Sequence, residues 1–137
     1  MGPAHKASGM TTVTTTSCVE WQTPLGNVKV DFETIREIIR ISFASEGKVR
    51  ISAVNKHIEE SEYSLEMQLP FIKKIFGDAG LANELKIVPF VVGDLKYADR
   101  YQDLAEVLLP LYMNERTLFI VSTDFCHWGK HFKYHPI

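Results

Sequence analysis

Three side chains able to bind a metal or move a proton, Asp124, Cys126 and His127, fall within four residues in the stretch Ser122-Thr123-Asp124-Phe125-Cys126-His127-Trp128-Gly129. A carboxylate that holds an imidazole in one tautomer makes the ring a competent base or an ordered metal ligand. Asp124 and His127 are therefore the candidate catalytic pair. A plainer reading stands beside it, in which Asp124 caps the following turn and His127 is a partly buried hydrogen-bonding residue. Cys126 is a reactive thiol if exposed beside His127, and an inert one if packed. His5, after Gly2-Pro3-Ala4, either projects from a turn into a cleft or stands in solvent. His5, His127 and Asp124 are the residue types of a two-histidine, one-carboxylate set for ferrous iron. No spacing in the sequence shows that they converge.

Other polar groups carry less. Glu59, Glu60, Glu62 and Glu66 form an acidic run ahead of a helix and read as a solvated face favoured by the helix dipole. Tyr63 inside it reads as a core or rim residue. His57, His131 and His135 read as surface residues, and Lys130, His131 and Lys133 as a short basic patch. Cys18, in a strand, reads as a small buried side chain.

These groups need elements to position them. Thr11–Trp21 is rich in β-branched residues and predicts one or two strands, and Val28–Val30 a further short one. Asp31 is a candidate N-cap for a helix from Phe32 to Phe43, with Phe32, Ile35, Ile39 and Phe43 on one face and Ile38 and Ser42 beside it. Lys48–Val54 alternates like a half-buried strand. Tyr63–Phe76 carries a stripe of Leu65, Leu69, Ile72 and Phe76. Pro70 there means either a kink or a start near Leu69. Lys86–Val92 is apolar on both faces, as a central parallel strand is. Asp99–Tyr112 predicts a helix with Tyr101, Leu104, Ala105, Leu108 and Leu109 inward. Thr117–Ser122 predicts another fully buried strand, which sets the Asp124 motif at its carboxyl end, where parallel sheets bind ligands. The succession of strand, helix and strand predicts an α/β fold with a largely parallel central sheet and flanking helices.

With 137 residues, 45% hydrophobic and 23% charged, the chain has ordinary globular composition, and nothing divides it, so residues 1–137 read as one domain. A net charge of −2 argues against nucleic acid as a partner. The apolar run Ile87–Val92 is far too short to span a bilayer, and the first residues hold no secretory pattern. The expectation is no membrane insertion and a reducing compartment, the cytoplasm or also the nucleus, with Cys18 and Cys126 unpaired. Both ends read as cut, with an open sheet edge, so the chain is expected to be a central fragment.

Five motifs in order carry a resemblance: Gly-Pro-Ala-His (2–5), Trp-Gln-Thr-Pro-Leu-Gly (21–26), Glu-Tyr-Ser-Leu-Glu-Met-Gln-Leu-Pro-Phe (62–71), Ile-Val-Pro-Phe-Val-Val-Gly (87–93) and Ser-Thr-Asp-Phe-Cys-His-Trp-Gly (122–129). Together they resemble the Memo family, mediators of receptor-tyrosine-kinase-driven cell motility, over essentially the whole chain. The resemblance implies the fold of class III extradiol dioxygenases, which use non-haem iron. It implies that His5 is the family's second metal histidine, that His127 is the acid–base histidine, with Asp124 its motif neighbour, and that iron or copper is the metal. The first metal histidine, in a Pro-His-Ala-Gly motif, and a ligand cysteine fall outside these residues, so the metal site is expected to be incomplete and metal not tightly bound. Where the family has Glu-His-Ser, this chain has Glu62-Tyr63-Ser64, and a phenol neither titrates near neutral pH nor replaces an imidazole ligand. The implied role is cell-motility signalling with metal-linked redox chemistry. The alternatives are an adaptor for phosphotyrosine segments of receptor tyrosine kinases, without catalysis, and a truncated paralogue without function. Whether the chain is an enzyme stays open.

Overall fold

The computed structural model describes residues 1–5, 12–45, 49–54 and 56–135. The first strands are β1 Gly2–Pro3, which reads as a loop in the sequence and is a strand through its pairing with the later β-strand at Phe90–Val92, and, from the β-branched and apolar runs, β2 Val13–Thr15, β3 Glu20–Trp21, β4 Val28–Val30 and β5 Ile51–Ala53. The later strands are β6 Lys86–Ile87 and β7 Phe90–Val92. The helices are α1 Phe32–Ala44, α2 Lys56–Ser61, α3 Tyr63–Glu66, α4 Leu69–Asp78 and α5 Ala98–Tyr112. Among the described residues no helix is long and apolar enough to cross a membrane.

Four strands form one sheet in the order β1-β7-β2-β5, and three form another in the order β3-β4-β6. Three of the five pairings are parallel, β1 with β7, β2 with β5 and β4 with β6, as an α/β chain with strands joined through helices requires. The central strand β2 registers Val13 against both Ile51 and Val92, and its three side chains are all buried. Against this sheet pack α1 and α5, closing a core of Val13, Ile38, Val49, Ile51, Phe90, Leu95, Leu104, Val107 and Leu108.

Local chemistry explains most boundaries. Asp31 caps α1 by accepting the Thr34 N–H, which satisfies a donor the helix leaves open. Gln68 ends one turn and Pro70 sits in the first turn of α4, where its missing N–H costs nothing. The predicted helix over Tyr63–Phe76 is thus two helices, with a start at Leu69, and α2 precedes them. Gly2 is fixed by packing, since a Cβ there would stand 2.7 Å from Ser64 Oγ and 2.9 Å from Ser64 Cβ.

Four expectations are corrected. Lys86–Val92 is two strands in two sheets, because Pro89 offers no N–H to continue a ladder and the chain passes from β6 to β7 there. Thr117–Ser122 is no fully buried strand. Thr117 N–H turns back to Asn114 O at 2.9 Å, and across the segment Met1 donates to Ile120 O at 2.6 Å and accepts the Ser122 N–H at 2.8 Å, while Leu118 and Val121 stand 69% and 64% exposed. In α1 the buried residues are Ile35, Ile38 and Ser42, while Phe43 is 54% exposed under the Arg50 guanidinium, 5.2 Å away. In α5 the inward set is Asp103, Leu104, Val107 and Leu108, with Tyr101, Ala105 and Leu109 outside. Both helices meet the sheet about one position round from the stripe the apolar residues alone define. Lys48, at the start of the predicted strand Lys48–Val54, lies outside the described residues.

The corrected α1 face has a measurable consequence. Ile38→Ala is expected to cost about 2–5 kcal/mol in urea unfolding, against less than about 1 kcal/mol for Phe43→Ser, whose ring makes an exposed cation–π contact. Equal losses would put the helix on its other face.

Candidate functional site

β1 ends at Pro3, and the next two residues carry the chain over the start of α3. This path follows from Gly2: without a side chain, β1 lies directly on Ser64 and Leu65. His5 therefore reaches Glu62, the residue that opens α3. Glu62 Oε2 accepts the His5 backbone N–H at 2.6 Å, and Oε1 meets the ring Nδ1 at 2.9 Å. The Glu62 side chain is only 4% exposed. On its other edge the ring meets Asp124, with Nε2 3.0 Å from Oδ2. Tyr63 stacks on the ring face, centroids 4.4 Å apart and planes 29° apart.

A carboxylate has no proton to give, so both ring N–H groups donate and the arrangement suits the imidazolium. Burial works against that charge. Hydrogen bonds and charge from Glu62 and Asp124 together outweigh it and hold His5 above its ordinary pKa of 6.5. His5 is thus clamped between one buried and one half-exposed carboxylate, an arrangement that favours its protonated form.

The structure brings together His5 and Asp124 of the residues read from sequence, and it keeps His127 apart. Asp124 faces His5 and not His127. The His127 ring is exposed and packs on Phe132 at 4.8 Å, in a loop that Gly129 and Tyr134 close by backbone bonding. Gly129 adopts φ 122°, a conformation glycine takes without strain. Cys126 is exposed, as are His57, His131 and His135. Cys18 is partly buried, and its thiol donates to Glu59 Oε2 at 3.4 Å; burial first, and then Glu59, push that thiol up. Lys6 lies outside the described residues.

Glu62 was missed as a functional residue because the acidic run around it reads as a solvated face. The signal available was its position at the head of the motif 62–71. As donors for a metal, His5 Nε2 and Asp124 Oδ2 lie side by side, 3.0 Å apart. Among the described residues, no group of three His, Cys, Asp or Glu side chains gathers where an ion could sit. Two donors are fewer than the three of a facial set, so the described residues alone do not make a metal centre.

Comparison with known proteins matches residues 1–137 to the family model described as Memo-like protein. The chain is 35% identical over 136 residues to "Protein memo-1 homolog" of Caenorhabditis elegans, covering 99% of this chain and 35% of that protein. It is 30% identical to "MEMO1 family protein MHO1" of Saccharomyces cerevisiae, covering 98% of this chain and 40% of the relative. "Protein MEMO1" of Xenopus laevis is 28% identical over 98% of this chain and 41% of its own length. The chain spans well under half the length of these relatives.

The clamp predicts a pH dependence of stability. A folded pKa raised above the unfolded value means that His5 stabilises the fold fully below about pH 6.5. That contribution is lost as pH rises through the higher folded value. The urea-midpoint difference between the wild type and His5→Gln is expected to shrink between pH 6 and pH 9. Asp124→Asn should move the loss to lower pH. A difference that stays constant across this range would show that the imidazolium is not favoured.

Proposed function

The chain belongs to the Memo-like protein family, and from that premise we propose that its chemistry centres on the His5–Glu62–Asp124 cluster, as part of a cytoplasmic protein of cell-motility signalling with iron- or copper-linked redox activity. The observation that supports this is the two-sided grip on His5. A carboxylate on Nδ1 fixes the ring's orientation and raises the basicity of Nε2, which is how a histidine is prepared to hold a proton or a metal ion. Glu62 does this from a buried position that gives the ring little freedom to turn. Asp124 holds the Nε2 proton, or serves as a second donor beside it. Tyr63 covers the ring face and limits access from that side.

Two donors leave any iron or copper site in need of ligands beyond those the described residues bring together. In this reading His127 supplies acid–base chemistry from the exposed loop after Asp124. Its orientation comes from Phe132 rather than from Asp124.

A second reading, docking of phosphotyrosine segments of receptor tyrosine kinases, draws on one feature. From Phe125 to Ile137 the chain has lysines and histidines among aromatic rings and no acidic residue. No arginine stands in that stretch to grip a phosphate bidentately, so the histidine cluster carries the stronger case.

Plasma mass spectrometry on the purified 137-residue chain is expected to find well under one iron or copper per chain. About one bound ion, lost in His5→Ala, would show that this chain completes a centre by itself. A phosphotyrosine peptide is expected to bind no better than its unphosphorylated twin. Clear preference for the phosphorylated form would favour the docking reading.

A further inference from the structure

Helix α2 turns a charged side chain inward and leaves an apolar one outside. Ile58 is 39% exposed, while Glu59 is the one residue of Lys56–Ser61 that is not exposed. Hydrophobicity alone would place them the other way, so polar partners have to account for Glu59. The Cys18 thiol accounts for one oxygen, donating to Oε2 at 3.4 Å. The other, Oε1, is buried and has no hydrogen-bond partner among the described residues. Buried carboxylate oxygens are stable when donors fill them.

A small cavity lies against this carboxylate. Its volume is about 10 Å³, room for one water molecule. Glu59 and Glu62 both line it, with Thr16, Trp21, Val54 and Leu65. The cavity thus stands between the inward carboxylate of α2 and the carboxylate that holds His5.

The chemistry of the lining selects the occupant. The Trp21 indole N–H is already given to Thr16 Oγ1 at 3.2 Å, and the same oxygen accepts the Cys18 N–H at 2.9 Å. The two carboxylates, when ionised, only accept. A carboxylate has about four acceptor positions, so Glu62 takes a further donor while holding His5 through both oxygens. Water offers two O–H groups, one for each carboxylate. A hard cation asks for about six oxygen ligands or more, and Val54, Leu65 and Trp21 present carbon instead.

We propose that this cavity is a binding site for one ordered water, which donates to Glu59 Oε1 and to Glu62, and that Glu59 is thereby a positioning residue for His5. The water joins two hydrogen-bonded groups, Cys18 with Glu59 and Glu62 with His5 and Asp124. Held from behind, Glu62 keeps both oxygens on the His5 backbone and ring. The role given to Glu59 rests on the reading that His5 is the working residue of the site. The water site itself stands on the cavity and the unpaired oxygen.

The test uses the whole 137-residue chain without added metal. NMR cross-peaks from a long-lived water to the Leu65 methyls and the Trp21 ring read the site. Exchange of the His5 amide, which donates to Glu62, reads positioning. The Val13 amide, in the central strand, reads global stability. Glu59→Leu, close in size but without oxygens, is expected to lose the cross-peaks and to speed His5 exchange about fivefold or more, with Val13 unchanged. Glu59→Gln keeps an oxygen acceptor and is expected to bring both readouts back to within about twofold of wild type. Absence of a long-lived water in the wild type would overturn the inference, as would His5 exchange that Glu59→Leu leaves unchanged. Equal acceleration at Val13 would make Glu59 a general support of the fold and overturn its positioning role. Cross-peaks that disappear when sodium and potassium are replaced by a bulky organic cation would give the cavity to a metal ion instead. Because no readout involves metal or a phosphopeptide, a chain that binds neither counts against the functional reading alone. A chain that takes up metal but shows no long-lived water counts against this inference alone.

Discussion

The buried Glu62 carboxylate is the constraint on which the site depends. Both of its oxygens bind His5, one through the backbone and one through the ring, across 57 positions of sequence. A carboxylate with so little exposure is stable only when its acceptor capacity is filled. Removing one partner of a buried ion pair leaves the other uncompensated and costs about 3–5 kcal/mol. The end of β1 is therefore tied to the start of α3. Gly2 follows from the same closeness, since any side chain there would run into Ser64. Asp124 then comes from a third region, 119 positions from His5, and completes the grip.

Charge decides what this grip can do. Burial alone favours the neutral imidazole, whose one bare nitrogen can accept a proton or a metal. Two carboxylates outweigh burial and favour the imidazolium instead. Anything that binds at Nε2 must displace the proton shared with Asp124. The ring's orientation survives that exchange, because Glu62 holds the opposite nitrogen. The cluster is thus rigid on its buried side and adaptable on its open side, a division that suits a histidine meant to meet something arriving from outside.

Periodicity made α1, α4 and α5 and most of the short strands legible in the sequence, whereas α2 and the strand at Gly2–Pro3, which reads as a loop, carried no such pattern. Asp31 as a cap was readable from residue type alone. The face each helix presents was less so. Apolar residues stand on both sides of the true contact in α1 and α5, and only the sheet's position selects Ile38 over Ile39 as the deeply buried one. The run Lys86–Val92 looked continuous because hydrophobicity hides the one missing N–H of Pro89. Thr117–Ser122 looked buried because its composition is that of a core strand, yet burial also needs a neighbour on the outer side. At the site, His5 and Asp124 were legible as residue types, and their pairing was not, since only topology joins the first and last parts of the chain. Glu62 was hidden by the company of Glu59, Glu60 and Glu66, since such an acidic stretch reads as solvent-facing, and its place at the head of the motif 62–71 was the one mark that set it apart.

The account's central claim is that His5 is an imidazolium held at both nitrogens. Nitrogen-15 NMR of the ring in the intact chain at pH 7.5 tests it most directly. The account predicts that both ring nitrogens show the chemical shifts of protonated sites, with the Nδ1 proton in slow exchange, and that Glu62→Gln restores a neutral ring at the same pH. One protonated and one bare nitrogen in the wild type, unchanged by Glu62→Gln, would contradict it.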